Sequence, residues 1–288
     1  MKNFFVVTNQ SKDQSLETTN RIRDFLSAHD CQCTIQNFVR CVKGEKGGYL
    51  NDSDMPENTE CVIVLGGDGT LIQTARDIAG SNIALIGVNL GRLGYLAEVE
   101  KESIEQTLER LIQDDYEVQE RMMLCGAAKV GDTVTKEELS LNDIVITRSG
   151  SLRLITFHVY VNGTLLKTYG ADGIIVSTPT GSTGYNLSAG GPIVEPGASV
   201  LLLTPINAHT LNSRSIILSP EDEITIEIGS GRRGNIEEAE AVFDGAYTVE
   251  MKSGDSLCIK RAAETTKVIK MSKENFLDVL RRKFADTE

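Results

Sequence analysis

Five apolar residues, Cys61-Val62-Ile63-Val64-Leu65, run straight into Gly66-Gly67-Asp68-Gly69-Thr70, and no other stretch restricts the fold so far. A mostly β-branched run closed by glycine reads as a strand buried on both faces of a parallel sheet. The glycines let the backbone turn sharply and bring its N–H groups against a phosphate, while Thr70 is placed to cap the helix that Leu71-Ile72-Gln73-Thr74-Ala75 begins. Asp68 is left as the carboxylate of the turn. Beside anion-binding N–H groups, a carboxylate suits Mg²⁺ or a substrate hydroxyl held next to phosphates, so the stretch points to phosphoryl transfer. The alternative is an ordinary strand-to-helix turn of an α/β domain with Asp68 as its cap.

The flanking chain alternates strands with helices. Phe4 to Val7 reads as a buried strand, and Ser11 to Gln14 offers a capping box for a helix with Leu16, Ile22, Phe25 and Leu26 on its inner face. Cys33 to Phe38 reads as a second strand. The polar stretches Lys43 to Gly48 and Asn51 to Asn58 then form either a cover for the site or a plain connector. After the glycine turn a helix runs to about Ala79, followed by a buried strand, Ile83 to Asn89. A second glycine turn, Leu90-Gly91-Arg92-Leu93-Gly94-Tyr95-Leu96, sets Arg92 and Tyr95 where they suit a nucleotide's phosphate and base, or else a surface charge and a core ring. Ser103 to Leu111 adds an amphipathic helix opened by the capping box Ser103 to Gln106. Residues 1–117 are therefore expected to form an α/β domain with a Rossmann-like parallel sheet and ligands at the strands' carboxyl ends.

Near Tyr116 the pattern changes. Short alternating runs at Asp143 to Thr147, Leu154 to Val161, Glu223 to Ile228 and Ser256 to Ile259 predict a second, β-rich, sandwich-like domain over residues 118–269. A helix with Phe276, Leu277, Leu280 and Phe284 on one side opens at Ser272-Lys273-Glu274, and residues 270–288 are expected to pack back on the first domain. One stretch departs from strand chemistry: Gly170-Ala171-Asp172-Gly173 and an apolar run lead into Thr178-Pro179-Thr180-Gly181-Ser182-Thr183-Gly184-Tyr185-Asn186-Leu187-Ser188-Ala189-Gly190-Gly191-Pro192. Such a density of glycines and hydroxyls makes a poor core and reads as a ligand-lining turn anchored by a strand. Asn142-Asp143, opening an apolar strand, is either a turn or a hydrogen-bonding pair on a rigid element.

Composition narrows the partners. A net charge of −12 argues against broad binding to nucleic acid or an acidic membrane, so anionic substrates need local neutralisation by helix ends, amides, metal and a few arginines. No apolar run approaches a membrane span, and the one after Lys2 is too short for a signal peptide, which makes the cytoplasm the expected location. Six cysteines are scattered without a paired C-x-x-C pattern, so buried thiols are expected.

Across nearly its whole length the chain resembles the NAD kinases, which transfer a phosphoryl group from ATP to the adenosine-ribose 2′-hydroxyl of NAD. Gly66 to Thr70 resembles a motif those enzymes share with diacylglycerol and sphingosine kinases, while Gly91 to Leu96, Asn142-Asp143 and Gly170 to Pro192 single out the NAD kinases. The resemblance implies Asp68 as base or hydroxyl orienter, with Gly66, Gly67, Gly69 and Thr70 shaping the phosphate site. It implies Asp68, Gly69, Arg92, Tyr95, Asn142, Asp143, Asp172, Thr183, Gly184, Tyr185, Ser188, Asn207 and Asp244 as NAD-binding, Asp172 toward a neighbouring subunit's ligand. It further implies Mg²⁺ or another divalent metal held through phosphates, and a homodimer or homotetramer. Gly184 stands where the family usually has alanine, Asp143 where many members have glutamate, and Ala208 and Ser215 where it commonly has proline. Two other readings share the motif or the binding segment: a lipid kinase, and an NAD(P)-binding sensor without transfer.

Overall fold

The computed structural model describes residues 1–36, 55–91, 96–150, 154–209, 212–272 and 275–285. The polar stretch from Lys43 to Asp54, Phe38, Arg92 and Tyr95, and the helix-opening Lys273-Glu274 lie outside them.

The first lobe is a parallel sheet built from β1 (Asn3–Thr8), β2 (Gln32–Ile35), β3 (Cys61–Gly66) and β4 (Ala84–Asn89), in the order β4-β3-β1-β2. As its apolar run predicts, every residue of β3 is buried. Helices α1 (Glu17–Ala28), α2 (Asp68–Asp77) and α3 (Ile104–Ile112) cover the two faces, with Ile22, Leu26, Leu108 and Leu111 in one core cluster and Leu71 and Ala75 in the other.

Neither capping box forms. Helix α1 starts at Glu17 behind Leu16, a left-handed residue (φ 53°), because the buried Asp13 carboxylate accepts the N–H groups of Thr18 and Thr19 at 3.3 and 2.9 Å. That carboxylate does the capping expected of Ser11. Ser103 spends its hydroxyl on the Glu100 carbonyl, 3.0 Å away.

The second lobe is a sandwich. Six antiparallel strands form one sheet, ordered Ile216–Leu218, Leu201–Ile206, Gly173–Ser177, Asp143–Arg148, Glu238–Phe243, Tyr247–Lys252. Its inner residues Ile144, Ile146, Ile174, Val176, Leu203 and Phe243 share one core with Phe157, Val159, Ile226 and Leu257 of the facing strands. Those facing strands belong to the same sheet as β1–β4. The junction is a strand far longer than its apolar run suggests: it covers Ser256–Lys270 instead of stopping near Ile259. The polar residues from Lys260 to Lys267 hide its continuation, and its register against the strand Glu117–Val130 shifts between Arg261 and Thr265. Past that bulge, Lys267 and Val268 pair in parallel with Ala84 and Leu85 of β4. At the chain's end the helix Phe276–Ala285 sets Phe276 and Val279 into a cleft of about 380 Å³ shared with Leu96, Val118, Thr180 and Glu195.

Candidate active site

The carboxyl ends of β1, β3 and β4 converge, as the parallel order requires. Gly67, extended in conformation, links β3 to α2, and Asp68 is the first residue of α2 rather than a residue before it. The Asp68 side chain is half-buried, and its Oδ1 accepts the Ala97 N–H at 3.4 Å. Thr70 therefore lies inside the helix and does not cap it: it is 4% exposed, and its hydroxyl accepts from Asn9 Nδ2 at 3.1 Å. Asn9 in turn bonds its own N–H to the Leu65 carbonyl, and Leu90 N–H bonds the Gly66 carbonyl at 3.0 Å, so the three loops are tied edge to edge.

Lys12, which no motif singles out, reaches this turn from the loop after β1. Its Nζ lies 2.7 Å from where a Cβ on Gly67 would stand, and 3.5 Å from the same point on Gly91. An alanine at Gly67 would make the ammonium shift, so the absent side chain leaves room for Lys12 at the turn. A cavity of about 700 Å³ opens beside it, lined by Ser11, Lys12, Ser15, Asn89, Gly91 and Lys101. The sequence signal was faint: a single lysine in a polar loop directly after a buried strand.

In the second lobe, Leu141-Asn142-Asp143 is a hub. Its N–H groups all point at Asp244, whose Oδ2 accepts from Leu141 at 2.7 Å and whose Oδ1 accepts from Asn142 and Asp143 at 2.8 and 3.0 Å. Its carbonyls go to the glycine-hydroxyl segment: Thr178 Oγ donates to Leu141 O at 2.6 Å, and Thr178 N–H to Asn142 O at 2.9 Å. Gly181 packs so closely on Asn142 that a Cβ would lie 2.1 Å from its carbonyl oxygen. Burial and then the charge of Asp244 push Asp143 up to about 7. Burial raises Asp244 too, although three N–H donors and Arg76 pull it back. Both Asp244 oxygens act as acceptors, so a proton shared by this pair belongs on Asp143.

The segment itself divides into scaffold and face. Ser177, Thr178, Ser182 and Asn186 are fully buried. Asn186 donates to Ser182 O and Pro192 O and accepts from Thr204 Oγ at 2.7 Å, holding the turn shut. Thr183, Gly184, Tyr185 and Ser188 face outward, with Tyr185 47% exposed. A Cβ on Gly184 would stand 3.7 Å from Asn142 Nδ2 and 4.0 Å from Asp143 Oδ2, which brings these predicted site residues together.

Three predicted residues, Asp172, Asn207 and Asp244, do not line this face. Asp244 lies behind it, its carboxylate 1% exposed and taken up by the N–H groups of Leu141, Asn142 and Asp143. Asp172 sits at the other end of the strand Gly173–Ser177 from Asp143, about 17 Å away at 3.3 Å per residue. There its carboxylate pairs with Arg148 at 2.8 Å and accepts from Asn207 Nδ2 at 3.0 Å, and both partners lower its pKa.

Residues 4–116 match the family description "ATP-NAD kinase N-terminal domain" and residues 141–271 match "ATP-NAD kinase C-terminal domain". The NAD kinase of Lachnospira eligens is 45% identical over 292 aligned residues, covering 98% of this chain and 100% of that protein. The NAD kinase of Agathobacter rectalis is likewise 45% identical, covering 99% of each. Among solved structures, yeast NADH kinase complexed with NADH superposes with a TM-score of 0.81 at 22% identity, over 96% of this chain and 86% of that one. An Archaeoglobus fulgidus NAD kinase in complex with ATP gives a TM-score of 0.74 at 24% identity, over 95% of each chain. Full-length similarity at this level, on a fold of the same kind, means that the chain belongs to the NAD kinase family and that its activity is that of an NAD kinase.

Proposed function

We propose that the two lobes hold the two substrates against each other, with Asp68 between them. NAD's adenosine ribose is bound at Asn142 and Asp143 and along the outer face of Thr183, Gly184, Tyr185 and Ser188, and ATP's phosphates lie over the glycine turn. Asp68 accepts or orients the proton of the ribose 2′-hydroxyl, which attacks the γ-phosphorus as the bond to the β-phosphate oxygen breaks. Phosphoryl transfer asks mainly for in-line placement and charge neutralisation. The N–H groups of Gly67 and Gly69 at the start of α2 and the Lys12 ammonium supply the positive side of that balance.

The observation carrying this reading is the joint position of Lys12 and Asp68 at one turn. A cation and a half-buried carboxylate on a glycine-rich helix start suit a nucleophile beside phosphates better than either suits a simple helix cap. The amide of Asn142 supports the acceptor side, because its Oδ1 is buried with no hydrogen-bond partner among the described residues.

A divalent metal fits this donor set. No cluster of three or more His, Cys, Asp or Glu converges among the described residues, so these residues offer no cage of their own. Mg²⁺ commonly binds through one or two carboxylates and substrate phosphates, and Asp68 would be the carboxylate that holds it. When bound, the metal would neutralise charge on the transferred phosphoryl group.

The remote position of Asp172 supports a homo-oligomer in which that residue serves a neighbouring subunit's ligand. No helix among the described residues is long and apolar enough to cross a membrane, and we place the enzyme in the cytoplasm.

The test is purified protein with NAD, ATP and Mg²⁺, assayed for NADP. NADP formation that chelation abolishes is expected. Phosphorylation of diacylglycerol or sphingosine in its place, or NAD binding without transfer, would overturn the reading.

A further inference from the structure

We infer that Arg76 and Asp244 are positioning residues that lock the helix carrying Asp68 to the loop carrying Asn142 and Asp143. The inference rests on the reading of Asp68 and Asn142-Asp143 given above. Neither residue touches a substrate: both side chains are enclosed, at 10% and 1% exposure.

Asp244 is bound on one side by the three consecutive N–H groups of Leu141, Asn142 and Asp143. Its own N–H returns to the Asp143 carbonyl at 3.0 Å, and its backbone is left-handed (φ 48°), a strained conformation for a non-glycine residue. On the other side stands Arg76, with Nε 4.0 Å from Asp244 Oδ2 and Nη1 3.5 Å from the Phe243 carbonyl. Arg76 lies in the last turn of α2 and Asp68 in its first, about 12 Å apart at 1.5 Å per residue. The far end of α2 is held again by Thr266 Oγ, which donates to the Ala75 carbonyl at 3.3 Å.

The helix is thus a rod with the reacting carboxylate at one end and a contact to the second lobe at the other. A buried carboxylate taking three backbone N–H groups fixes loop geometry closely, and the arginine couples that loop to the helix. Reach between base and hydroxyl is a matter of tenths of an ångström, and a misplacement of about 1 Å can cost on the order of a hundredfold in rate.

The two residues should fail differently. Asp244→Asn sets an amide NH₂ against backbone N–H donors, so the loop shifts: KM for NAD is expected to rise about tenfold or more, with KM for ATP unchanged. Arg76→Met leaves the loop's bonds in place but frees the helix: kcat is expected to fall about tenfold or more, with NAD affinity by calorimetry within about threefold. Arg76→Lys keeps the charge without the fork, and should recover part of the lost kcat. Thermal unfolding of each variant reports the folded fraction.

Wild-type kcat in Arg76→Met, or kcat and NAD affinity lost together in proportion to the folded fraction, would overturn the inference. Should Arg76→Met not fold, Arg76→Lys decides alone: full wild-type kcat contradicts the positioning role, and a several-fold loss with NAD affinity kept supports it. Wild-type enzyme making NADP in the same assay separates this outcome from a failure of the functional reading itself.

Discussion

Gly181 and Gly184 lie three residues apart, yet their surroundings set opposite tolerances. At Gly181 an added Cβ meets the Asn142 carbonyl oxygen at 2.1 Å and its carbon at 2.5 Å, and backbone cannot rotate aside. Gly181→Ala is therefore expected to lose about 1–3 kcal/mol of stability and to raise KM for NAD by displacing Asn142. At Gly184 the nearest atom is the Gly181 carbonyl oxygen at 3.3 Å, a contact that asks for a shift of a few tenths of an ångström, and φ is −90°, outside the left-handed region. Gly184→Ala should stay within about 1 kcal/mol of wild type with NADP formation retained. Thermal unfolding and steady-state kinetics on the pair check both, and equal effects would contradict the packing argument. The same stretch shows where single residues are hard to read: its hydroxyls and amides look alike in sequence, but Ser182 and Asn186 brace the turn while Thr183 and Ser188 face outward. Only the tertiary fold assigns a hydroxyl to one side or the other.

Helix caps show the same difficulty one level up. Ser11 to Gln14 fits the local rule for a capping box, but Asp13 wins because its buried carboxylate reaches the N–H groups of Thr18 and Thr19 and the Thr19 hydroxyl at 2.8 Å. Asp13→Ala is expected to cost about 1–2 kcal/mol of stability. Because Lys12 is its neighbour, KM for ATP should rise as well, while KM for NAD should not. Paired acids give a second prediction at this scale. Asp143 has a folded-state pKa of about 7 against an ordinary 3.8, so the native state holds an extra proton between those values. Its contribution to stability is greatest at acid pH and falls as pH rises toward about 7, where it levels off. Unfolding midpoints measured from about pH 5 to 8 should show this slope in wild type and a flatter one in Asp143→Asn. An identical pH dependence in both proteins would remove Asp143 from the account. Strands buried on both faces, such as β3 and Gly173–Ser177, were legible because their apolar runs are continuous. The long strand Ser256–Lys270 was not, because its middle is polar and its pairing, not its composition, makes it a strand.

For the whole molecule, that strand sets the limit on independence of the two lobes. Ile269 and Met271 complete one core of the α/β lobe, and Met123, Leu141, Ala262 and Val268 sit with Phe5, Val62 and Leu71 in the other. Residues 1–116 expressed alone would lack Met123, Leu141, Ala262, Val268, Ile269 and Met271 and should not give a cooperative unfolding transition. A folded, cooperative fragment would contradict the shared core. The division into an α/β half and a β half was visible from the change of pattern near Tyr116, but the sharing of one sheet between them was not, since pairing between Val268 and Leu85 leaves no local trace. Likewise the glycine turn named the reaction and the 170–192 segment the acceptor, but nothing local tied them together. The most direct measurement is on Asp68→Asn, with turnover and NAD affinity determined on the same preparation. Turnover should fall by about 10²–10⁴ with the NAD dissociation constant within about threefold of wild type. Unchanged turnover, or a loss of NAD affinity matching the loss of rate, would contradict the placing of Asp68 at the hydroxyl of a substrate held by the other lobe.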